Sequence, residues 1–349
     1  FVFYLKAKYY SISMSDKELL LGNKIFDPSN NCLIIAEVAQ AHEGSLGIAH
    51  SFIDAAADVG VDAIKFQTHI AEFESTKDEQ FRYKFSTQDN TRFDYWRRME
   101  FSLDQWKELY EHAISRNIIF LSSPFSEEAV NLLFKIGVRD WKIGSGESLS
   151  MSLVNSIKRY GGTTLISTGM SNWNEIDEIV KIFKGYSMPF GLMQCKSEYP
   201  TPLKNVGIEL IPKMMSKYNV PIGLSDHSGK ISPSIAAICL GASFIEVHVT
   251  FDRKLFGPDA TSSVNFSELS QIVEFRNDYY LMKKNPIDKD RDAISLKRMR
   301  LLFDKSLSLK NSKLAGEIVK REDLILKKPG NGISIKELES IVGRKLKHD

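Results

Sequence analysis

The sequence predicts an α/β protein, a (β/α)8 TIM barrel followed by a small β-rich domain. Three observations carry that expectation. From Cys32 onward, short apolar runs alternate with longer amphipathic ones, the pattern of parallel βα units. The runs number eight and occupy roughly 250 residues, the size of a closed barrel. Each run ends in polar residues, which would form a ring on one rim of an apolar cylinder.

The elements follow in chain order. Residues 1–31 begin apolar and aromatic but are interrupted by Lys6 and Lys8. A secretory signal would want a longer aliphatic core and a small-residue cleavage site. This segment is therefore expected to be an irregular extension packed on the main body. The barrel domain is expected over 32–284, with strands at 33–38, 63–67, 118–122, 141–143, 164–167, 190–194, 221–224 and 244–248. Helices are expected at 47–59, 126–136, 174–183 and 232–240. The interval 68–117 is too long for an ordinary barrel loop, and it should hold one helix at 103–116. Phe93, Tyr95 and Trp96 in that interval read as core packing rather than as a substrate lid. A helix near 267–283 closes the barrel. Polar residues 285–304, with Asn285-Pro286 and a charged run, read as a linker. From 305 to 349, frequent turns between short apolar pieces suggest the small β-rich domain.

Composition excludes several classes. The chain has 349 residues, 43% of them hydrophobic and 26% charged, which excludes a mostly disordered protein. Forty-six Lys and Arg against 44 Asp and Glu give a net charge of +2, so no global pull toward nucleic acid or an acidic membrane is implied. No run of about 18 apolar residues is present, so no membrane-spanning helix is expected. Cys32, Cys195 and Cys239 are too few and scattered for a disulfide framework and lack zinc-type spacing. A reducing, cytoplasmic compartment is the natural reading.

The rim narrows the chemistry. Its first half carries Glu37 and His42, Lys65 and Gln67, Ser122 and Ser123, then Lys142, Ser145 and Glu147. Its second half carries Ser167 and Thr168, Gln194, Lys196 and Ser197, then Ser225, Asp226 and His227, and finally Glu246 and His248. Two lysines with several hydroxyls suit a phosphate or a carboxylate. His227 and His248 end adjacent strands, and with a carboxylate such as Glu37 nearby they suit a divalent transition metal with open positions. Taken singly, each is equally a hydrogen-bonded rim histidine. The turn Lys142-Ile143-Gly144-Ser145-Gly146-Glu147 offers small residues for close approach to a ligand. Lys196 reads as a solvated loop residue.

Those residues lie inside recognisable phrases. Glu37-Val38-Ala39-Gln40-Ala41-His42-Glu43-Gly44, Lys65-Phe66-Gln67, the 142–147 turn, Ser167-Thr168-Gly169-Met170, Tyr199-Pro200, Gly223-Leu224-Ser225-Asp226-His227 and Gly257-Pro258-Asp259 resemble the sialic acid synthase family. That family includes N-acetylneuraminate, legionaminate and pseudaminate synthases. The resemblance implies condensation of phosphoenolpyruvate with an N-acylhexosamine-type sugar, giving a nine-carbon 2-keto acid and phosphate. It implies Mn²⁺, or else Mg²⁺ or Co²⁺, on His227 and His248, with Glu37 as the carboxylate for proton transfer. It implies a phosphoenolpyruvate cradle of Lys65, Ser123, Lys142, Ser145, Ser167 and Ser225. Sugar contacts would come from Gln67, Glu147, Tyr199 and Asp259. It further implies that residues 305–349 form an antifreeze-like (SAF) domain, signalled by Lys328-Pro329-Gly330-Asn331-Gly332-Ile333, which would cross to the partner barrel of a homodimer and bring Lys328 to the sugar.

The chain departs from the family pattern at Ala41, Gln194, Lys196, Ser197 and Lys328, where the family usually has Asn, His, Thr or Asn, and Arg respectively. These departures cluster on the sugar side, so the reaction type is expected to hold while the acceptor sugar differs. The SAF-like segment is expected to be short. Competing readings are another phosphoenolpyruvate-condensing barrel, a metal-dependent hydrolase or aldolase, and a non-catalytic sugar binder. The SAF-like segment argues against the first, the lysine and serine set against the second, and the combined rim residues against the third.

Overall fold

The computed structural model describes residues 18–22, 24–81 and 85–349. The described chain begins with an antiparallel hairpin, β1 (Leu19–Leu21) and β2 (Lys24–Phe26). This corrects the expected irregular extension for residues 18–31; residues 1–17 lie outside the described ones. Strands of three residues are too short to show a periodicity. Their role appears only in packing: Leu19, Leu21 and Phe26 join Leu33, Ile35, Leu121, Leu165 and Met193 in one buried cluster inside the barrel.

The eight runs form β3 (Leu33–Ala39), β4 (Ala63–Thr68), β5 (Ile119–Pro124), β6 (Trp141–Ile143), β7 (Thr164–Ser167), β8 (Phe190–Cys195), β9 (Ile222–Asp226) and β10 (Phe244–Thr250). All pair in parallel, in the order β5-β4-β3-β10-β9-β8-β7-β6, and β5 lies against β6 so that the ring nearly closes. Helices cover the outside because parallel strands connect through crossovers. The first crossover helix, α1 (Leu46–Val59), starts where Ser45 accepts from the Ile48 N–H and stops at the left-handed Gly60. Between barrel and helices lies the main core, including Phe52, Ile64, Trp106, Trp141 and Ile179.

The long interval holds more structure than one helix. A single turn, α2 (Ala71–Glu74), and a helix α3 (Arg92–Met99) precede α4 (Leu103–Ser115). The ends of α3 and α4 are set by reciprocal caps at Thr91–Asp94 and Ser102–Gln105. The closing helix spans Phe266–Lys284.

Phe244 shows how glycine shapes the interior. Its ring fills the barrel beside β8 and β9 because Gly191 and Gly223 leave room. A Cβ on Gly223 would sit 2.2 Å from Phe244 Cδ2 and 2.4 Å from its carbonyl oxygen. Gly223→Ala is therefore expected to destabilise the fold by about 1–3 kcal/mol through overpacking. An unchanged denaturation midpoint would refute that packing.

The chain divides into two compact units, Phe1–Lys284 and Asn285–Asp349. The expected linker at 285–304 instead forms two short helices, Lys289–Ser295 and Lys297–Phe303. The first is started by Asp288, whose carboxylate accepts from the Asp290 and Arg291 N–H groups. Neither helix has a fully buried residue, and Met299, Leu301, Leu302 and Phe303 of the second are exposed. The rest of this unit holds an antiparallel pair, β12 (Ser306–Leu309) with β13 (Leu324–Lys327), and an isolated bridge between Ile318 and Lys345. β11 is the two-residue Val264–Asn265 beside β10. No helix among the described residues is long and apolar enough to cross a membrane.

Candidate active site

The C-terminal ends of the barrel strands open into one cavity of about 460 Å³, within the size range of small-molecule sites. Strand register sets which side chains meet there. Glu37 on β3 lies level with Lys65 on β4 and with His248 on β10. Gln67 lies level with Ser123, and Glu246 with Ser225. The β3–β4 register shifts between Glu37 and Ala39, where Ala39 takes a left-handed φ of 47°. Such an irregularity at a strand end re-aims the side chains around it.

Two buried lysines and two buried carboxylates form the floor. Lys65 Nζ lies 2.9 Å from Glu37 Oε2 and 3.6 Å from Glu246 Oε2, and donates to Ser123 Oγ at 3.1 Å. Lys142 Nζ lies 3.2 Å from Glu246 Oε1, which also accepts from Ser225 Oγ at 3.1 Å. Burial works against charge on Lys65, but Glu246 and Glu37 overcome it and raise its pKa. Lys142 has one such partner; burial wins and lowers its pKa. Burial opposes ionisation of Glu246, yet the two ammonium groups hold its pKa at about 2. Glu37 is the reverse: burial dominates over Lys65 and raises it. Gln67 Nε2 donates to Glu37 Oε1 at 2.8 Å. Ser145 Oγ accepts from the Gly169 N–H at 3.0 Å, joining the ends of β6 and β7.

The two rim histidines face each other with ring centroids 5.2 Å apart. His227 Nδ1 donates to the Lys196 carbonyl at 2.8 Å, and its Nε2 lies 3.0 Å from the Tyr199 hydroxyl. Burial opposes charge on this ring, but Cys195 and the Lys196 carbonyl raise its pKa to about 9, so an ion would bind Nε2 in place of a proton. His248 Nδ1 lies 3.7 Å from Asp259 Oδ2. Burial and the charge on His227 hold His248 well below the ordinary imidazole range, so its ring keeps a free lone pair. A backbone carbonyl or carboxylate behind each ring is the usual support of a metal-ligating histidine. Among the described residues no group of three or more His, Cys, Asp or Glu is arranged to hold an ion. The pair fits an ion that takes two protein ligands and leaves its other positions to water or substrate.

The sequence-selected residues of the barrel converge: Glu37, Lys65, Gln67, Ser123, Lys142, Ser145 and Glu147 line this cavity, as do Ser167, Tyr199, Ser225, His227, His248 and Asp259. Lys328 belongs to the second unit, where its ammonium lies 4.9 Å from the Phe303 ring centroid. Sequence reading named Glu246 as a strand end but gave it no part; its spacing two residues before His248 points both side chains to the interior. His69, Glu74 and Phe125 were missed because they sit just past strand ends, where periodicity stops. Phe93 and Tyr95 are buried as expected, but Tyr95 and Trp96 also line the cavity wall, so core packing describes only part of that segment.

Comparison with known proteins agrees with this geometry. A model of the NeuB family matches residues 52–286. The N,N'-diacetyllegionaminic acid synthase of Campylobacter jejuni is 34% identical over 320 residues, covering 89% of this chain and 95% of its own length. The enzyme of the same description from Legionella pneumophila is 30% identical over 345 residues, covering 95% of each chain. The crystal structure of N-acetylneuraminic acid synthetase from Leptospira borgpetersenii, in complex with citrate, superposes with a TM-score of 0.71 at 31% identity, covering 82% of this chain and 98% of that one. By its sequence from end to end of the barrel, and by the strand-end residues that the fold gathers into one cavity, this chain belongs to the NeuB family of sialic acid synthases.

Proposed function

We propose that this protein condenses phosphoenolpyruvate with an N-acylhexosamine-type sugar, N-acetylmannosamine or a diacetamido analogue. The products are a nine-carbon sialic-acid-like 2-keto acid and phosphate. One observation carries the reading: a buried lysine pair and a facing imidazole pair open into the same cavity. Relatives named as legionaminic and pseudaminic acid synthases support it.

Lys65, Lys142 and the hydroxyls of Ser123, Ser145, Ser167 and Ser225 would cradle the donor's carboxylate and phosphate. Gln67, Glu147, Tyr199 and Asp259 would hold the sugar so that its aldehyde carbon meets the donor's methylene carbon. His227 and His248 would hold Mn²⁺, Mg²⁺ or Co²⁺, which when bound supplies Lewis-acid polarisation of the aldehyde. The enol carbon attacks that aldehyde, cationic charge develops at the phosphate-bearing carbon, and water adds there. Glu37, its pKa raised by burial, is the base that orients this water and takes its proton. Collapse of the tetrahedral intermediate expels phosphate by C–O cleavage.

The second unit would act as the SAF-type cap of a homodimer, bringing Lys328 to the partner's sugar site. Light scattering that found only monomer would count against the cap. The free thiols of Cys32, Cys195 and Cys239 fit a reducing cytoplasm.

Phosphate should appear only when phosphoenolpyruvate, the sugar and Mn²⁺ are all supplied. Chelation should abolish turnover, and His227→Ala should lower it by about a hundredfold or more. Turnover that survives both treatments would overturn the metal assignment; phosphate release without any sugar would overturn the condensation.

A further inference from the structure

His69 and Glu74 form a unit that neither the anion cradle nor the histidine pair explains. His69 follows β4, and Glu74 ends the single turn Ala71–Glu74. The imidazole is stacked between Trp96, at 3.8 Å and 12°, and Phe125, at 4.3 Å and 12°. Its Nδ1 lies 2.6 Å from Glu74 Oε1, and its Nε2 lies 3.2 Å from Gln67 Oε1. The Gln67 amide nitrogen is committed to Glu37, so its oxygen can only accept. Both ring nitrogens thus face acceptor oxygens.

Glu74 is then held by one oxygen only. Its side chain is 8% exposed and lines the cavity, while its Oε2 is buried with no hydrogen-bond partner among the described residues. A buried carboxylate oxygen without a donor calls for one. Glu147 lies on the same side: burial raises its pKa, and the negative charge of Glu74 raises it further.

We propose that Glu74 is a specificity residue for the acceptor, its free oxygen accepting a hydrogen bond from a hydroxyl or acetamido N–H of the sugar, with His69 as its positioning residue. The inference depends on the synthase reading above. A carboxylate accepts and does not donate, so the class it selects is a neutral sugar with clustered donors. Because His69 also fixes the Gln67 amide, the same contact keeps Gln67 turned toward Glu37.

The test is steady-state kinetics with phosphoenolpyruvate, Mn²⁺ and either N-acetylmannosamine or a diacetamido hexose. Glu74→Leu and His69→Phe should raise the acceptor KM about ten- to a hundredfold and leave the phosphoenolpyruvate KM within about threefold. Glu74→Gln keeps one acceptor oxygen and should restore part of the loss; it also stands in should Glu74→Leu fail to fold, as judged by thermal melting. Acceptor KM unchanged in the folded variants, or both KM values rising together, overturns the assignment and leaves the synthase reading intact. Wild-type protein that turns over neither sugar sinks the synthase reading and this inference with it.

Discussion

Lys65→Met should reduce kcat/KM about a thousandfold, the scale of losing a preorganised charge from an electrostatic site. It should also destabilise the fold by about 3–5 kcal/mol, because it strips a partner from buried acids. The two losses have separate origins. Lys65 bridges Glu37 and Glu246. After its removal Glu246 still has Lys142 and Ser225, whereas Glu37 retains only Gln67. Most of the destabilisation therefore belongs to Glu37. Adding Glu37→Gln to Lys65→Met replaces the orphaned charge by a neutral amide, so stability should largely return while turnover does not. Chemical denaturation and phosphate release measured on the single and double variants decide this. A double variant no more stable than Lys65→Met would show that the lysine is held by something other than that pair.

Acid should destabilise the protein through His42. This imidazole is buried against Phe101, its Nδ1 accepts from the Gly44 N–H, and its Nε2 has no partner. Burial, with His69 and Arg98 nearby, lowers its pKa from 6.5 to about 3. A histidine whose pKa is depressed by folding contributes stability that is complete above 6.5 and lost as pH falls toward the folded value. Between about pH 7 and pH 5 the unfolded chain takes up the proton and the folded one does not, so about 2 kcal/mol should go. Asp140 acts oppositely: burial pushes its pKa up to about 6, so its protonation in the native state favours folding in acid. Comparison with His42→Phe isolates the histidine. Wild type should lose about 2 kcal/mol more than the variant over that interval. Equal losses would mean that His42 does not titrate on unfolding in the way its burial demands.

The barrel was legible because its strands are continuous apolar runs, buried on both faces. β3, with all seven residues buried, is the clearest case. The rim was legible because polar residues interrupt those runs at their ends. The hairpin carrying Leu19 and Leu21 was not, since two three-residue strands have no pattern until the barrel interior offers them a surface. The helices at 289–303 were misread because the first is a charged run marked only by the cap at Asp288, and the second is a pair of short turns with no side-chain cap.

At the site the same boundary holds. Local sequence determined that Lys65, Lys142 and His248 point into the barrel mouth, because side-chain direction in a strand alternates with period two, and it placed His227 at the end of the neighbouring strand. It did not determine their state. That Lys65 is held charged while Lys142 is pulled down, that Glu246 anchors both, and that His69 stands clamped between two aromatic rings depend on strands and loops distant in sequence. Charge in a buried site is governed by desolvation and by neighbours a few ångströms away. Only closure of the ring brings those neighbours together.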